Sequence, residues 1–63
     1  MNRAWRLQPV VISLERGDGG LLERIRGALA AEGEPLRWAI TAVESGPAGQ
    51  RLRIEAMVIQ RGG

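Results

Sequence analysis

The sequence predicts an α+β domain with the element order β-α-β-β, a three-stranded mixed sheet with one helix packed on one face. Three observations lead there. Three segments are rich in alternating apolar and β-branched residues, one segment repeats its apolar residues at the helical period, and Gly, Pro and Asp cluster between them. At 63 residues, the chain has the size of one small domain, 1–63, with marginal capacity to bury a core.

The first segment, Trp5 to Glu15 ("WRLQPVVISLE"), reads as a strand with Pro9 near its start, at an edge or bulge. Val10, Val11 and Ile12 are consecutive and apolar, which predicts contact on both faces of the sheet. "RGDGGLLERI" follows. Its glycines turn the chain, Asp18 is placed to cap a helix, and Leu21, Leu22, Ile25, Ala28 and Leu29 form one stripe, with Glu23, Arg24 and Arg26 facing away. Gly33 and Pro35 stop the helix, which is predicted over Gly19 to Glu32. The right-handed crossover makes the first two strands parallel.

"LRWAITAVE" and "RLRIEAMVI" are strands around "SGPAGQ", a turn of about five residues. Centring that turn on Pro47 sets Ala42 opposite Leu52, Ile40 opposite Ile54, Trp38 opposite Ala56 and Leu36 opposite Val58. All eight are apolar, so this register builds the face that the helix covers. The other face carries Arg37, Ala39, Thr41 and Val43 against Arg51, Arg53, Glu55, Met57 and Ile59. A single helix cannot cover both sides of a sheet.

Composition narrows the chemistry. The chain has no cysteine and no histidine, so disulfides, thiolate or imidazole metal ligands and an imidazole base are excluded. Ser13, Thr41 and Ser45 have no histidine or lysine to activate them. The acid pairs Glu32 with Glu34 and Glu15 with Asp18 fall at loops and element ends, where carboxylates are solvated. A phosphate loop of the Walker type needs a lysine and a hydroxyl residue after its glycines, and a dinucleotide loop, G-x-G-x-x-G, needs a glycine at its last position, which is Leu22 here. "GDGGLLER" has none of these. What remains at Gly19 and Gly20 is a weak anion site of free helix amides. The chain is therefore expected not to be an enzyme and to need no cofactor or metal.

The sequence pI of about 11.1 reflects nine basic residues, all arginine, yet the net charge is only +2. Arg37, Arg51 and Arg53 gather on the uncovered face, but with no Phe, no Tyr and two Trp the chain lacks the aromatic platform that single-strand readers use. Nucleic-acid binding is not expected. No apolar run is long enough to span a bilayer and no signal peptide is apparent, so the expected setting is the cytoplasm. The expected function is a non-catalytic binding or assembly module. It self-associates or binds a protein partner through Arg37, Val43, Arg53, Met57 and Ile59, with the aliphatic groups supplying burial and the arginines orientation.

Two resemblances give alternatives. The ending "VIQRGG", with Arg61, Gly62 and Gly63 after a strand, resembles the sulfur carriers of thiamine and molybdopterin synthesis and the ubiquitin-like proteins. It implies a β-grasp fold and a carrier activated as an acyl adenylate at Gly63. The order strand, helix, strand, strand, with Trp38 early in the second strand of "LRWAITAVE", resembles dodecins. That resemblance implies a flavin stacked on Trp38 and assembly into a hollow shell.

Overall fold

A computed structural model describes residues 5–61. The elements are β1 (Trp5–Glu15), α1 (Leu21–Ala30), β2 (Glu34–Gly46) and β3 (Gly49–Arg61). The sheet order is β1-β3-β2, and both pairings are antiparallel. The expected mixed sheet is thus corrected to an antiparallel one. The hairpin sets β3 beside β2, and β1 takes the other edge of β3, so β1 and β2 point the same way without touching as neighbours. The centre falls to β3 because its even residues are the most completely apolar row: Leu52, Ile54, Ala56 and Val58 are all buried. Trp5–Glu15 runs as a single strand, so no hairpin of the β-grasp kind precedes the helix among the described residues.

On the helix side, Ile25 and Leu29 of α1 are buried with that β3 row, and Val10, Ile12, Leu14, Leu21 and Trp38 pack around them. Burying each of the four least exposed side chains, Ile25, Leu29, Ile54 and Val58, stabilises the fold by roughly 1.5–3 kcal/mol. Ten residues of helix extend only about 15 Å. A strand of thirteen extends about 43 Å, so the lid is shorter than what it covers.

α1 is shorter than the predicted Gly19 to Glu32. Gly17 and Gly19 have φ of 52° and 93°, left-handed values that glycine adopts freely. They turn the chain ahead of the first helical residue. Asp18 consequently stands too early to cap, and Gly20 occupies the cap position without a side-chain hydrogen bond. Arg24 also departs from expectation. Instead of facing solvent, it donates hydrogen bonds to the carbonyls of Glu15 and Arg16, tying the helix to the end of β1. At the far end the amides of Glu32 and Gly33 return to the Leu29 carbonyl. Gly33 then passes so close to β3 that a Cβ there would lie 2.6 Å from the Ile59 carbonyl oxygen.

The hairpin follows the predicted register from Arg37 to Ile40, with Trp38 opposite Ala56 and Ile40 opposite Ile54. It slips by one residue at each end. Irregularities at Leu36 and Thr41 each insert an unpaired residue, so Pro35 rather than Leu36 faces Val58, and Val43 rather than Ala42 faces Leu52. A one-residue slip moves side chains to the other face. The turn is two residues, Pro47 and Ala48, between the paired Gly46 and Gly49; the left-handed position is Gly49, with φ of 119°.

Both outer edges are interrupted. The Arg16 amide bonds to the Gln50 carbonyl directly opposite, so even residues of β1 form the hydrogen-bonded pairs with β3 and odd residues point their amides at the free edge. Pro9 is one of these odd residues, opposite Met57, and removes a donor from the middle of that edge. The two irregularities break the regular run of the β2 edge.

Candidate functional site

The face of the sheet opposite α1 is built from the odd residues of β1 and β3 and the matching residues of β2. Reading across β1, β3 and β2, its rows are Glu15, Arg51 and Glu44; Ser13, Arg53 and Ala42; Val11, Glu55 and Ala39; Pro9, Met57 and Arg37; Leu7, Ile59 and Glu34. Trp5 opposite Arg61 closes the far end. The face therefore has a charged end, near the hairpin turn, and an apolar end. Among the described residues nothing covers the apolar end: Trp5, Leu7 and Val11 are 56, 55 and 56 % exposed.

The charged end is organised by pairs across and along the strands. Arg51 Nη2 donates to Glu15 Oε2 at 3.2 Å. Glu55 Oε2 accepts the Thr41 hydroxyl at 3.0 Å and lies 3.7 Å from Arg53 Nε. At the other end Arg61 lies 3.7 Å from Glu34. All these side chains are about half exposed or more, so each pair orients its groups and adds at most about 1 kcal/mol.

Of the five residues expected at an interface, Arg37, Arg53, Met57 and Ile59 share this face, and Pro9, Arg37, Ala39, Glu55 and Met57 line a shallow depression in it. Val43 does not. The bulge at Thr41 turns it to the helix side, where it remains 54 % exposed. The sequence reading leaves one face of the first strand partly exposed but names no residue of β1 at the interface. The signal for β1 was present in the period-two spacing of Trp5, Leu7, Pro9 and Val11, which is as apolar as that of the buried face. A second uncovered strip lies on the helix side. Arg24 anchors one flank of α1 to β1, and Leu22, about 160° away around the helix, falls toward β2, where Ile40 and Val43 are also exposed.

The remaining candidates are placed as follows. Trp38 is half-buried and packs on the core cluster on the helix side. Gly19 and Gly20 are exposed in the turn before α1. Gly62 and Gly63 lie outside the described residues. Among the described residues no cluster of acids could hold a metal ion, and no helix is long and apolar enough to cross a membrane.

The chain matches none of the curated proteins and none of the solved structures with which it was compared. A family model does match over residues 6–60. That span runs from Arg6 in β1 to Gln60 in β3 and contains α1, β2 and the apolar face apart from Trp5. The chain accordingly belongs to the family described as "Domain of unknown function (DUF8621)".

Proposed function

We propose that this chain is a non-catalytic binding and assembly module that associates through the sheet face opposite α1. One observation carries the reading: Trp5, Leu7 and Val11 are more than half exposed on the same face as Met57 and Ile59. Monomeric proteins rarely leave a contiguous apolar patch uncovered, and patches rimmed by charge mark association surfaces. Met57 and Ile59 form the centre, while Arg37 and Arg53 stand at the margin, where charges orient rather than drive binding.

Association of folded chains raises thermal stability with concentration, because the complex draws on the folded state alone. The melting temperature is expected to rise by several degrees between 10 μM and 1 mM, conditions chosen to bracket a weak complex. Met57→Lys should abolish that dependence while preserving the far-ultraviolet circular dichroism, since Met57 points away from the core. An unchanged concentration dependence in Met57→Lys would exclude this face.

A further inference from the structure

The row pattern of the uncovered face is self-complementary in one arrangement. We propose that two copies of the chain pack these faces together about a two-fold axis that runs across the strands at the level of Val58, between Met57 and Ile59. The proposal rests on the assembly reading above and names its partner as a second copy.

A two-fold axis across the strands lays each strand on its own counterpart, running the other way, and pairs rows equidistant from the axis. With the axis between the row of Pro9, Met57 and Arg37 and the row of Leu7, Ile59 and Glu34, Met57 meets Ile59 of the second copy and Pro9 meets Leu7. Arg37 meets Glu34. In the next rows out, Val11 meets Trp5 and Glu55 meets Arg61. Every apolar residue named faces an apolar one, and every charge faces its opposite, twice over by symmetry.

Other arrangements fail this test. An axis along the strands sets Glu15 against Glu44 and Arg51 against itself, and an axis centred on either middle row sets Arg37 against Arg37 or Glu34 against Glu34. Side-by-side joining of sheets is opposed by Pro9 on the β1 edge and by the bulges on the β2 edge. The matched rows cover roughly 27 by 15 Å, or about 400 Å² per copy. That is about half the footprint of a standard interface, so the dimer should be reversible and form in the range of tens to hundreds of micromolar.

Two measurements test it. The chain has no cysteine, so Ser45→Cys can carry a single nitroxide label. Ser45 lies opposite Gln50, eight residues along β3 from the level of Val58, which predicts a label separation of roughly 50 Å in the dimer by double electron–electron resonance. An axis along the strands would instead bring the labels within about 25 Å. Second, Arg37→Glu should weaken dimerisation at least tenfold by sedimentation equilibrium, and adding Glu34→Arg should restore it to within about threefold. A short label separation, or no recovery in the double variant, would overturn this axis while leaving the assembly reading intact. A wild-type chain that stays monomeric at 1 mM would overturn the dimer itself, and a Met57→Lys variant still binding like wild type would overturn the choice of face.

Discussion

Ile54→Ala is expected to remove a large share of the chain's stability at 25 °C. Ile54 is 0 % exposed at the centre of β3, between Ile12 and Ile40, and belongs to one core cluster with Ile25 and Leu29 of the helix. Truncating such a side chain costs about 2–5 kcal/mol through lost burial and the cavity left behind. At ~0.05–0.15 kcal/mol per residue, a domain of this length holds roughly 3–9 kcal/mol in all. One side chain therefore carries a large share of the total. Circular dichroism with urea titration should show a lost or strongly shifted transition for Ile54→Ala and a loss of only about 1 kcal/mol for Ile54→Val. Midpoints within experimental error of wild type for both would mean that β3 is not the centre of the core.

Gly33→Ala should be nearly as damaging, by about 3 kcal/mol, for a reason that burial does not reveal. A Cβ at this position would stand 2.6 Å from the Ile59 carbonyl oxygen and 3.0 Å from Val58 Cγ2, on a backbone with φ of 151°. The nearest obstacle is main chain in the central strand, which cannot step aside without breaking the ladder, and the backbone conformation adds strain for any residue with a side chain. Gly27 supplies the contrast. It lies within α1 with open space around its missing Cβ, so Gly27→Ala should stabilise the chain by about 0.5–1 kcal/mol. Equal effects of the two substitutions on the urea midpoint would contradict the close approach of the α1–β2 connection to β3.

The element order and the centre of the hairpin were legible in the sequence because they follow from period and punctuation. Trp38, Ile40, Ile54 and Ala56 alternate without ambiguity, and the predicted pairs hold there. The ends were not legible. Ala42 and Val43 are both apolar, so alternation alone accepts either as the partner of Leu52, and only the length of the turn and the bulge at Thr41 decide. Val43 was placed on the wrong face for that reason. Sheet order was equally hidden: Pro9 suits an edge, whereas the run Val10, Val11, Ile12 predicts contact on both faces; β1 is an edge, and Val11 is more than half exposed. That misfit is itself informative. The two-sided apolar character of β1 is real, and one of its sides has no cover among the described residues. The glycines before α1 were legible as a turn, whereas Asp18 was not legible as a bystander, because its distance from the helix depends on the left-handed bends at Gly17 and Gly19.

The most direct test is the solvent accessibility of the Met57 methyl group, followed by nuclear magnetic resonance with a soluble paramagnetic agent as the wild-type chain is diluted from about 1 mM to about 20 μM, a range spanning the expected dissociation constant. Association through the uncovered face predicts a methyl shielded at the higher concentration and progressively broadened on dilution, with Leu22 on the helix side accessible throughout. A Met57 methyl equally accessible at both concentrations would contradict it.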